Sequence, residues 1–217
     1  MSHLTGAVWI KVCGITNTED AMAAAETGAD AVGFVFAPSP RQISPEVAQK
    51  IIEALPPSIR TVGVFVDEDP ERVSYIAEFC NLDLLQLHGK EAATYCERLG
   101  RRVIKAVRIE SEKQLERCSE YVGVVEAFLL DTYVAGQSGG TGATFDWNTA
   151  VIARKYGPII LAGGLDPDNV AAALRIVKPY GVDASSGLEQ KPRIKDHNKI
   201  ARFIEAVRRA EQEMVSL

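Results

Sequence analysis

Several things are scarce in this chain, and each scarcity narrows what it can be. Its 217 residues include four cysteines, three histidines and two tryptophans, with aromatics at 7%. Cys13, Cys80, Cys96 and Cys118 show no CxxC spacing and have no histidine nearby, which argues against a zinc site or a disulfide framework. Free thiols fit a reducing compartment. Cys80, Cys96 and Cys118 fall in helix-like segments and read as small buried apolar residues. No apolar run approaches the roughly 20 residues needed to span a bilayer. Positive charge is also in deficit: 24 Lys and Arg face 29 Asp and Glu, for a net charge of −5. The footprint of a nucleic-acid binder is therefore missing. "MSHLTGAVW" has no charged-then-apolar signal pattern. The expectation is a cytoplasmic protein with no membrane or nucleic-acid partner. No linker, low-complexity stretch or charge run divides it, so a single domain over residues 1–217 is expected.

What is present is a repeating alternation. Eight short apolar runs read as buried strands: "VWIKVCG", "AVGFVF", "TVGVFV", "LDLLQLHG", "RVIKAVRI", "AFLLDT", "PIILAGG" and "GVDASSG". Helix-period segments lie between them. "TEDAMAAAETG" opens on a capping threonine and closes at Gly28. "SPEVAQKIIEAL" has Ser44 followed by a proline at the first helical position. A long amphipathic helix is expected from Lys195 to about Met214, and a weaker one over Ser111–Tyr121. Strict alternation implies parallel strands joined by helical crossovers. Eight units in this length predict an α/β fold, a single-domain (β/α)8 TIM barrel, with an open doubly wound sheet as the other arrangement. No GxGxxG follows the first strand, which weakens a dinucleotide site.

In such a barrel the C-terminal strand ends share one face and carry the chemistry. Cys13, Arg41, His88 and Asp131 all sit at strand ends or in the loops after them. Strand seven ends in Gly163 and Gly164, and strand eight in Ser185, Ser186 and Gly187. Glycines let backbone N–H groups approach an anion and serines add donors, so this pair of loops reads as a phosphate cradle. Period-two alternation adds a prediction. If Cys13 and Ser185 point inward, so do Lys11 and Asp183. Two charges inside an apolar barrel must neutralise each other, and the Lys11 ammonium would favour a thiolate at Cys13. Lys105 in "VIKAV" also has a candidate inward position, without an assigned role. His3 and His197 carry no expected function.

The ordered set "KVCGIT", "GFVF…SPR", "QLHG", "LLDT…GGTG.TFDW", "LAGGLDPDNV" and "GVDASSGLE…KD" spans essentially the whole chain. It resembles the phosphoribosylanthranilate isomerases of tryptophan biosynthesis. The resemblance implies a cofactor-free Amadori rearrangement of a small phosphoribosyl substrate, with Asp131 as general acid and Cys13 as general base. It places Arg41, His88 and Asp183 among the substrate-binding residues, with Arg41 facing the anthranilate carboxylate. The stretch "SGGTGATFDW" after strand six is too glycine-rich for a packed element and reads as a mobile loop that closes over substrate, with Gly139, Gly140 and Gly142 supplying the flexibility. Two departures stand out. Arg193 replaces the family's usual glycine near the last helix, with a phosphate contact or a solvated charge as its expected roles. The "FAPSPR" loop is one residue shorter than in many members. A monomer or a homodimer is expected.

Two other functions compete. A histidine-pathway isomerase performs the same rearrangement with an aspartate where Cys13 stands, and it carries a phosphate site in each half of the barrel. A barrel that only binds a phosphorylated ligand would need neither Cys13 nor Asp131.

Overall fold

The structure, a computed structural model, describes residues 7–109, 112–131 and 147–215. Eight strands alternate with helices in the order β1 (Trp9–Cys13), α1 (Thr18–Thr27), β2 (Ala31–Val35), α2 (Pro45–Glu53), β3 (Arg60–Phe65), α3 (Pro70–Phe79), β4 (Leu84–Leu87), α4 (Ala93–Arg98), β5 (Val103–Arg108), β6 (Ala127–Asp131), α5 (Trp147–Ala153), β7 (Ile159–Ala162), α6 (Val170–Val177) and β8 (Gly181–Ala184). All eight are parallel, and β1 pairs with both β2 and β8, which closes the barrel. The open-sheet alternative is thereby ruled out. After β8 come a short hairpin, β9 (Glu189–Lys191) and β10 (Ile194–Lys195), and then α7 (His197–Val215).

Local chemistry sets most boundaries. Asn17 caps α1 by accepting from the Asp20 N–H at 2.8 Å, so the cap is one residue earlier than the threonine expected. Asn and Thr both cap, and the backbone of Asn17 is the one in extended geometry. Ser44 and Asp69 cap α2 and α3, each followed by a proline. Between β5 and β6 the expected helix is a 3₁₀ segment, Glu112–Tyr121. Among its described side chains Leu115, Cys118 and Tyr121 are the buried ones, a spacing of three that suits the tighter turn.

Strand alternation sorts the core into two layers. Ala31, Val62, Leu84, Ile104, Leu129 and Ile160 point into the barrel. Their neighbours in sequence, such as Val32, Leu85, Phe128 and Leu161, face the helices. α7 seals the outer layer with Ile200, Phe203, Ile204, Val207 and Ala210, at helical spacing. Truncating a side chain buried like Phe203 to alanine costs about 3–5 kcal/mol. Cys80, Cys96 and Cys118 are free and buried, as their apolar surroundings require. Among the described residues no helix is long and apolar enough to cross a membrane.

Candidate active site

Strand direction gathers the expected residues at one end of the barrel. Cys13 ends β1, His88 follows β4, Asp131 ends β6, and Ser185 follows β8. Beneath them Lys11 and Asp183, opposite each other in the β1–β8 register, form an ion pair of 2.8 Å. The Lys11 side chain is wholly buried. Burial alone would lower its pKa, but the Asp183 carboxylate, then Cys13, outweigh burial and raise it. The inward pair read from alternation is therefore present.

Cys13 departs from expectation in one respect. Desolvation raises its thiol pKa; Lys11 pulls it down, Asp183 pushes it up, and the net is a thiol held protonated. Lys11 acts in the expected direction but does not win, because burial outweighs it and the Asp183 carboxylate pushes the same way as burial. Room for the sulfur comes from Gly33 on β2. A Cβ there would lie 2.8 Å from Cys13 Sγ and 3.2 Å from Lys11 Nζ.

Across the mouth, His88 Nε2 lies 3.2 Å from Asp131 Oδ2. Its Nδ1 faces the Gln86 amide nitrogen at 3.1 Å. An amide donating to Nδ1 leaves Nε2 as the protonated nitrogen, which donates to Asp131. Among the described residues, Gln86 Oε1 is buried without a hydrogen-bond partner. Asp131 also has Arg108 as its register neighbour on β5. The loop that carries His88 is held from behind. Lys105 points outward between β4 and the helices, correcting its inward candidacy, and donates to Leu87 O, Gly89 O and Glu91 Oε2. Glu91 in turn accepts from the Asp67 and Gly89 N–H groups.

Arg41 stands in the loop after β2. Its Nε and Nη2 each donate to Glu189 at 2.6 Å in a two-pronged contact. This bond is the main reason its pKa is raised. Burial would raise Glu189, yet Arg41 and Lys195 hold its carboxyl below the usual range. Burial lowers Lys195, more than Glu189 and Cys13 restore it. Lys195 Nζ also donates to Ser185 O. Arg193 is exposed and bonded to the loop after β2. Its guanidinium donates to Pro40 O and Gln42 O.

Gly163 and Gly164 both have left-handed backbone, at φ +79° and +68°. Ser186–Leu188 forms a short 3₁₀ turn beside them. The loops after β7 and β8 are pressed together at Gly187, where a Cβ would stand 2.1 Å from Leu165 O. Only glycine fits there. The stretch Ser138–Trp147, expected to close over substrate, lies outside the described residues up to residue 146, as does His3. Among the described residues no group of three or more His, Cys, Asp or Glu could hold a metal ion.

Four contributors escaped the sequence reading. Alternation from His88 back to Gln86 would have placed the amide inside. Glu189 and Lys195 lie within the motif "GVDASSGLE…KD" but it assigned them no role, and Glu91 gave no signal, since each acts through a contact distant in sequence or through loop geometry.

Residues 10–206 match the family model of N-(5'-phosphoribosyl)anthranilate isomerase. The chain belongs to that family. It is 54% identical over 196 residues to the N-(5'-phosphoribosyl)anthranilate isomerase of Geotalea uraniireducens, covering 90% of this chain and 96% of the relative. Among solved isomerases, the Thermotoga maritima structure is 44% identical with a TM-score of 0.88, covering 93% of this chain and 98% of that one. Another isomerase structure, in complex with reduced 1-(o-carboxyphenylamino)-1-deoxyribulose 5-phosphate, is 43% identical with a TM-score of 0.84 over the same shares. Membership makes the protein an isomerase built on a TIM barrel.

Proposed function

We propose that the protein catalyses the Amadori rearrangement of N-(5-phospho-β-D-ribosyl)anthranilate to 1-(2-carboxyphenylamino)-1-deoxy-D-ribulose 5-phosphate, in the cytoplasm, as a step of tryptophan biosynthesis, with the chain working as one domain. The observation that carries this reading is the placement of Cys13 and Asp131 at the ends of strands β1 and β6, which are separated by two strands around the closed barrel. A thiol and a carboxyl set apart in this way suit a reaction needing a base at one carbon and an acid at a ring oxygen.

Asp131 gives a proton to the ribose ring oxygen as the C1–O bond breaks. The anthranilate nitrogen supplies its lone pair and forms a C1=N iminium. Cys13 then removes the proton at C2, and the electrons of that C–H bond form a C1=C2 enamine and neutralise the nitrogen. The enolic C2 hydroxyl loses its proton as C1 gains one, which leaves the ketone. Because burial favours the protonated thiol, Cys13 first releases its own proton to solvent. The cationic iminium, adding to the Lys11 charge, favours the thiolate that then takes the C2 proton. His88, donating to Asp131, positions the acid. Arg41 receives the anthranilate carboxylate on the guanidinium edge that Glu189 leaves open, and Asp183 the sugar hydroxyls. Gly163, Gly164, Ser185, Ser186 and Gly187 hold the phosphate.

The test is loss of substrate fluorescence with freshly generated phosphoribosylanthranilate. The wild type turns it over. Cys13→Ala and Asp131→Asn each lower kcat by about 10²–10⁴-fold, the range of a general base or acid. Equal rates in a variant remove that residue from the chemistry. No turnover by the wild type defeats the substrate assignment.

A further inference from the structure

Arg193 is a residue the rearrangement leaves unused. It forms the turn of the β9–β10 hairpin with φ +76°, a conformation that strains any residue with a Cβ. Its side chain is exposed, so burial gives no reason for an arginine there. Its contacts do. The Arg193 Nη1 donates to Pro40 O at 3.0 Å and to Gln42 O at 3.1 Å, the carbonyls on either side of Arg41. The Arg193 carbonyl accepts from Thr16 Oγ1 at 2.7 Å, which ties the turn to the loop after β1. At the other end of the hairpin, Glu189 grips the Arg41 guanidinium. The hairpin is itself anchored. The Lys195 N–H donates to Asp20 Oδ2 on α1, and Lys195 Nζ to Ser185 O after β8.

Arg41 is thus held twice by one hairpin, through its guanidinium by Glu189 and through its flanking backbone by Arg193. We propose that Arg193 is a positioning residue: it fixes the loop after β2 so that Arg41 presents its open edge to the carboxylate of the substrate. The proposal rests on the reading of Arg41 given above. From this left-handed turn the guanidinium meets both carbonyls.

A residue that merely holds the fold together and one that positions Arg41 differ in sign. Arg193→Gly removes the hook and also relieves the backbone strain. The expected result is a KM for phosphoribosylanthranilate raised about threefold to tenfold, the worth of one or two hydrogen bonds, with kcat within about twofold. Thermal stability stays equal or rises. Arg193→Lys, which keeps the charge and can reach one carbonyl, gives an intermediate KM. In an Arg41→Met background, where KM is already raised, Arg193→Gly has no further effect, because nothing remains to be positioned.

An unchanged KM in Arg193→Gly, or a full multiplied effect in the Arg41→Met background, overturns the proposal while the Arg41 reading stands. A fall in stability with KM unchanged assigns Arg193 to the fold alone and also overturns it. An unchanged KM in Arg41→Met defeats the reading of Arg41 and the proposal with it.

Discussion

The two ends of the barrel use the same chemistry to opposite effect. At the N-terminal end, Arg60–Asp83, Arg102–Glu126 and Arg208–Asp30 are ion pairs open to water. Inside and above, Lys11–Asp183, Lys105–Glu91 and Lys195–Glu189 are ion pairs shut away from it. Two of the open pairs join neighbouring strand starts, the third ties α7 to the start of β2, and all three are screened by solvent. The closed pairs hold the strand and loops that carry Cys13, His88 and Arg41. Their charges cannot be relieved by water, so each must be matched by a partner. Sealed pairs fix geometry, and wet pairs only decorate the rim.

That contrast can be broken by experiment. Lys11→Met strips Asp183 of its partner inside the barrel and is the harshest test. Unfolding in urea is expected to show a loss of about 3–5 kcal/mol, with activity gone. A variant as stable as the wild type would end the distinction. Lys105→Met is milder, because Glu91 keeps its two backbone donors. Its expected cost is roughly 2–3 kcal/mol, with a lowered kcat as the His88 loop loosens, measured by unfolding and turnover together.

The alkaline limb comes next. Burial pushes the Cys80 and Cys118 thiols from 9.0 up to about 11, and the Lys11 pKa is raised above 10.5. A pKa raised by folding gives stability that is complete below the unfolded value and lost as pH climbs through the folded one. The melting temperature should hold up to about pH 9 and fall from there to about pH 11; Cys80→Ala with Cys118→Ala should flatten the first part of that fall. Smallest of all, Arg60→Ala should cost less than about 1 kcal/mol and lose even that in high salt.

The sequence revealed the fold through its period. Eight apolar runs with helical stretches between them pointed to a barrel or an open doubly wound sheet, which the β1–β8 pairing decides, and alternation along β1 and β8 was enough to point Lys11 and Asp183 inward. It was less informative where geometry is decided at a distance. Asn17 and Thr18 are both good caps, and only the backbone shows which one serves. The 3₁₀ segment after β5 has a helix-like composition, and its tighter turn follows from the spacing of Leu115, Cys118 and Tyr121 against the barrel. The grip of Glu189 on Arg41 joins residues 148 positions apart. The Cys13 pKa depends on the balance of burial, Lys11 and Asp183, which no spacing rule can weigh.

The three sealed lysines have a practical corollary. An amine-acylating reagent reaches an ammonium only where water reaches it. Lys11, Lys105 and Lys195, each at most 3% exposed, are therefore protected in the native protein and become reactive where the structure opens. They stand in three places: within the barrel, behind the His88 loop, and under the hairpin that holds Arg41. The order in which mass spectrometry finds them labelled would report which part of the barrel yields first.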